Sequence, residues 1–121
     1  FFIAAPIAAN MPVDANLDCT KSGKSAHMLI FNGTKDPINP YFGGLVEVLG
    51  NTSRGEVLSS DDTLNYWAGL AKAPHEEQII THFAESDGNP DTKVTRMLRA
   101  GQKHVLNGVR KLVCTKMVLT N

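Results

Sequence analysis

Met28-Leu29-Ile30-Phe31 is an unbroken apolar run closed at once by the turn signal Asn32-Gly33. Four large apolar residues without alternation predict a short strand buried on both faces, the kind found inside parallel sheets. The opening stretch, residues 1–9, is also continuously apolar and is bounded by Asn10-Met11-Pro12. It predicts a first buried strand, with the chain starting inside a fold. Two such strands within about thirty residues, joined by a polar segment (10–26) rich in Asn, Asp, Ser, Gly and Lys, suit a parallel pair, and with the helix and two strands further along the chain they give the element order of an α/β fold.

The remaining pattern agrees. Ser59 with Asp62 three residues on resembles a capping box, and Asp61 and Asp62 suit a helix N-terminus. Leu64, Trp67, Ala68 and Ala71 follow at i, i+3, i+4 and i+7, a single apolar face that Pro74 terminates. Residues 78–84 and 93–99 alternate as strands, separated by the turn-rich 86–91. Residues 101–104 read as a loop. Residues 105–121 have β-branched content but neither caps nor a clear period.

With 121 residues the chain is sized for one domain, and no run of about 18 apolar residues exists to span a bilayer. Net charge is zero but unevenly spread. Residues 1–91 hold five Lys/Arg and all twelve Asp/Glu, whereas 92–121 hold seven Lys/Arg and no acid. Lys93, Arg96, Arg99 and Lys103 stand singly among apolar residues without aromatic interleaving, so the asymmetry reads as a fold whose compensating acids lie elsewhere, not as a nucleic-acid surface. Cys19 and Cys114 form neither a metal motif nor a CxxC pair; a disulfide and two free thiols both fit.

Two residues stand out for chemistry. Asp36 follows a buried strand by five residues, on a segment stiffened by Pro37 and Pro40, and functional groups of open α/β sheets collect beyond the carboxyl ends of strands. His104 follows a strand-like segment and Gly101, which suggests a loop reaching a cleft. His27, His75 and His82 have weaker positions. No metal is expected, because no histidines stand at i, i+4 and no carboxylate lies at ligand spacing between them. No cofactor motif is present.

The stretch Phe31-Asn32-Gly33-Thr34-Lys35-Asp36-Pro37-Ile38-Asn39-Pro40-Tyr41-Phe42-Gly43-Gly44 resembles the acid-bearing segment of the polyhydroxybutyrate depolymerase and feruloyl esterase group of α/β-hydrolases. Arg54–Ser60 leading to Thr63, Tyr66, Trp67 and Ala68, and the opening Ile3–Pro12, are similar to further pieces of that family. The resemblance covers about residues 1–108. It implies the C-terminal part of an α/β-hydrolase sheet with flanking helices, residues 1–121 forming a partial domain. It also implies Asp36 as triad acid and His104 as triad base, although Gly101-Gln102-Lys103-His104 replaces two of the three glycines that precede the family's histidine. The substrates implied are hydroxyalkanoate or hydroxycinnamoyl esters, small or polymeric, with export to the periplasm or outside the cell.

The nucleophile is absent. No Gly-x-Ser-x-Gly occurs; Gly23-Lys24-Ser25-Ala26-His27 is the nearest imitation, and the strand 28–33 separates Ser25 from Asp36 by roughly 20 Å. The expectation is an ester-hydrolase part completed by an N-terminal part or by a second copy, with neither nucleic acid nor membrane as partner. The alternative is a non-catalytic remnant serving as a binding or structural module. A nucleic-acid binder, resting on the charge asymmetry alone, is the weakest reading. A sheet cut at residue 1 should expose apolar surface, which predicts a chain that is marginal, aggregating or oligomeric alone.

Overall fold

A computed structural model of the chain describes residues 3–83, 91–105 and 108–120, without the side chains of 102–105 and 108–113. The strands are β1 (Ile3–Ala4), β2 (His27–Gly33), β3 (Gly44–Leu45), β4 (Glu56–Val57), β5 (Ile79–Phe83), β6 (Lys93–Val105) and β7 (Gly108–Thr120). One α-helix, α1 (Ser60–Leu70), lies between β4 and β5. Five strands form one mixed sheet in the order β1-β2-β7-β6-β5, and β3 and β4 form a small antiparallel pair. Strands β1, β2 and β7 run parallel; β5, β6 and β7 form an antiparallel meander. The α/β class and the parallel pairing of the first two strands therefore hold.

The capping box forms. Ser59 Oγ accepts from the Asp62 backbone N–H at 3.0 Å and donates to the Asp62 carboxylate at 2.8 Å, satisfying an N–H that the first turn leaves open. The helix face packs as the spacing predicts: Leu64, Ala68 and Ala71 join Met28, Ile30, Ala73 and Cys114 in the core, with Trp67 against them.

Four expectations are corrected. The first strand is two residues long and exposed, because only Ile3 and Ala4 pair in the ladder. The run 28–31 is buried on one face only: Met28, Ile30 and Asn32 point at α1 and are buried, while the alternate residues are half-buried. Residues 101–104 continue β6 instead of forming a loop, held by pairing with 109–112 of β7. That pairing also turns the ambiguous C-terminal segment into a strand, a long-range cause no local period reveals. Finally, among the described residues a single α-helix, not several flanking ones, covers the sheet, and only from one side.

Candidate functional site

Asp36 stands where the carboxyl ends of the parallel strands converge. The Thr34 N–H donates to Leu119 O at 2.8 Å, tying the exit of β2 to the end of β7. The half-buried Asp36 then turns its carboxylate back onto its own loop. Oδ1 accepts from the N–H groups of Ile38 at 2.8 Å and Asn39 at 2.9 Å. These two backbone donors fix the orientation of the carboxylate. Among the described residues Oδ2 carries no hydrogen bond, so one oxygen remains open to an incoming donor.

The loop behind Asp36 is fastened at several points. Asn10 Nδ2 donates to Pro40 O at 3.2 Å, and the Ser60 N–H donates to Tyr41 O at 2.9 Å. Gly43 adopts φ +82°, and a Cβ there would come within 2.9 Å of the Ser59 nitrogen, so only glycine permits this approach. Below the loop runs a buried polar chain: Ser60 Oγ donates to Asn32 Oδ1 at 2.9 Å, and Asn32 Nδ2 donates to Asn10 Oδ1 at 3.2 Å.

Lys116 completes the support. It is wholly buried in the middle of β7, donating to Tyr41 Oη at 3.1 Å and to the Asp61 carboxylate, its ammonium 5.2 Å from the centre of the Tyr41 ring. This group joins three elements: the Asp36 loop through Tyr41, the first turn of α1 through Asp61, and β7. None of Lys116, Tyr41, Asn32, Ser60 or Asn10 is a sequence candidate. Lys116 had one visible signal, a lone cation inside the run Leu112–Leu119, while Asn32 reads only as a turn residue.

His104 is placed elsewhere. Gly33 lies beside Leu119, which pairs with Val94, whereas His104 pairs with Val109 at the other end of the β6–β7 ladder. Val94 to His104 is ten residues along β6, about 33 Å at ~3.3 Å per residue. Triad groups must meet at hydrogen-bond distance. The backbone register thus sets Asp36 and His104 at opposite ends of the sheet; the His104 side chain lies outside the described residues. Gly101 does not loosen a loop either. A Cβ there would meet Ala71 O at 1.8 Å, so its lack of a side chain lets β6 pass under the end of α1.

Ser25 precedes β2 and Asp36 follows it, so the strand separates them along its length. Of the other histidines, His82 contacts Thr95 Oγ1 at 3.0 Å and His75 lies in an exposed turn. No cluster of three or more His, Cys, Asp or Glu suited to a metal occurs among the described residues. No helix there is long and apolar enough to cross a membrane. Cys19 is exposed, Cys114 is buried, and both are free thiols. Burial pushes the Cys114 thiol up to about 11, against a smaller opposing pull from Arg99.

Part of the basic excess after residue 91 turns inward. Besides Lys116, Arg99 is buried and donates to Asn65 Oδ1 at 2.6 Å and to Ala73 O at 2.8 Å, covering the carbonyl end of the α1 region. Comparison with known protein families, curated proteins and solved structures finds no match to this chain.

Proposed function

We propose that this chain is the acid-bearing part of a carboxylic ester hydrolase, with Asp36 as the triad acid and the serine supplied from outside these residues. The observation that carries the reading is the seat of Asp36: beyond the carboxyl ends of parallel strands, one oxygen held by two backbone N–H groups and the other open. That is the seat an acid needs in order to fix the tautomer of a histidine and stabilise its imidazolium. In such a reaction the histidine takes the serine proton as Oγ attacks the ester carbonyl and returns it to the departing alcohol; water then releases the acid from the acyl-enzyme. Polyhydroxyalkanoate-type and feruloyl-type esters are the substrate classes the sequence resemblance supports. The base is where the expectation changes. His104, at the far end of the ladder, cannot serve the same Asp36 in this register, so a histidine at the Asp36 edge must come from another segment.

That separation favours a second reading, a non-catalytic remnant that binds or scaffolds. One experiment divides the two. The chain is fused behind a segment carrying Gly-x-Ser-x-Gly and hydrolysis of p-nitrophenyl butyrate is followed. The hydrolase reading expects turnover that Asp36→Ala lowers by roughly 10³-fold or more, while His104→Ala retains most of it. A well-folded fusion without turnover would leave the remnant reading in possession. An equal loss with His104→Ala would overturn the register argument against that histidine.

A further inference from the structure

Among the described residues nothing covers the sheet face turned away from α1, and that face is apolar. Ile3, Ile7, Ile79, Phe83 and Leu119 are exposed there, at 41–73%. A cavity of about 380 Å³ opens on it, lined by Ile7, Phe31, Val94, Met117 and Leu119 among others. Parallel strands are ordinarily covered on both faces, and a contiguous apolar patch of this kind marks a contact surface.

Among the described side chains, one charged group sits within the patch. Arg96 pairs across the ladders with Thr81 on one side and Met117 on the other, so its side chain shares the open face. Its Nη2 reaches Thr81 Oγ1 at 3.4 Å, and its guanidinium lies 5.7 Å from the centre of the Phe83 ring. Arg96 Nε is buried without a hydrogen-bond partner, and no carboxylate among the described residues pairs with this cation. Because Nε is shielded within the fold, a carboxylate arriving from outside would meet the guanidinium at its terminal nitrogens and neutralise the charge.

We propose that this face docks an amphipathic helical segment of another polypeptide, whose apolar side carries a carboxylate that meets Arg96. Charge selects the occupant. A second copy packed face to face about a twofold axis would bring a second Arg96 into the interface and, among the described residues of its patch, no carboxylate to meet either cation. Size also fits. Four inter-strand spacings of ~4.8 Å give a width of ~19 Å, ample for a helix of ~10 Å laid along the strands. The inference goes beyond the ester-hydrolase reading and does not rest on it.

The test uses the 121-residue chain and two labelled helical peptides of Leu and Ala on one side, differing only in Glu or Lys at the centre of that side. Fluorescence anisotropy should show the Glu peptide binding at least ~10-fold tighter than the Lys peptide. Arg96→Glu should reverse that order. Equal affinities, or no binding by either peptide, would overturn the proposal without touching Asp36. So would a self-association, seen by sedimentation, that excludes the Glu peptide and is unchanged by Arg96→Glu. The peptide swap needs no altered protein, so a poorly folding variant would not blunt the result.

Discussion

The two faces of the five-stranded sheet solve the same problem in different ways. Toward α1 the face is buried yet strongly polar: Lys116, Arg99 and Asn32 lie inside it, each with a named partner. Away from α1 the face is apolar yet exposed, with Arg96 the cation set among its apolar side chains. Coverage, not composition, decides burial here. A polar group can go inside wherever a helix end, a loop carbonyl or a tyrosine meets it, and an apolar group stays outside where no element arrives. The polar groups under α1 also act as locators: Lys116, Arg99 and Asn32 each bond to α1, and Lys116 reaches the Asp36 loop as well, through Tyr41.

The largest effect expected from perturbing the covered face is at Gly101. Replacement by Ala forces a methyl into Ala71 O, and thermal unfolding followed by circular dichroism should show a loss of about 3 kcal/mol or no cooperative transition at all. Next comes the Lys116–Asp61 pair. Asp61→Ala leaves the buried ammonium without its counter-charge and should cost about 3 kcal/mol, whereas Lys116→Met, which removes the buried charge itself, should cost about 1 kcal/mol or less. Urea midpoints in the reverse order would mean that Lys116 is held by Tyr41 alone.

Cys114 provides a pH test of the same face. Its thiol ionises near 11 when folded and near 9 otherwise. Below pH 9 both states keep the proton and the full stability is present. As pH rises from 9 towards 11 the unfolded chain loses its proton first, so stability falls across that window, on the order of 2 kcal/mol. Cys114→Val should flatten this alkaline loss, and at neutral pH a thiol reagent should label Cys19 alone. The smallest stability change belongs to the open face. Ile79→Thr should shift the unfolding free energy by about 0.5 kcal/mol or less, while visibly reducing aggregation in light scattering. A large destabilisation there would mean that the face is covered after all.

Local signals in the chain were reliable where the cause was local. The capping box at Ser59, the apolar helix face of Leu64, Ala68 and Ala71, and strands near 28–33, 79–83 and 93–99 all followed from spacing and turn chemistry. The Asp36 loop was likewise visible through its prolines and its position after a strand. Residues 101–104 read as a loop because Gly101 suggests flexibility, whereas that glycine lies against the carbonyl of Ala71, thirty residues away in sequence, and the segment continues β6. Lys116 was passed over because a lone cation in a strand reads as a solvent-facing residue until Tyr41 and Asp61 are seen to converge on it.

By itself, the sequence determined the α/β class, the helix with its cap, the first parallel pair and the placement of Asp36 beyond a strand end. Each depends on residues within a few positions of one another, where steric and hydrogen-bond preferences act directly. Only the tertiary structure decided that residues 93–105 and 108–120 pair into a long hairpin, that Asp36 and His104 lie at opposite ends of the sheet, and that one face carries no helix among the described residues. Those features follow from strand register and from which element covers which face. Register is set by the sum of contacts across neighbouring strands, a quantity that no window of the chain contains.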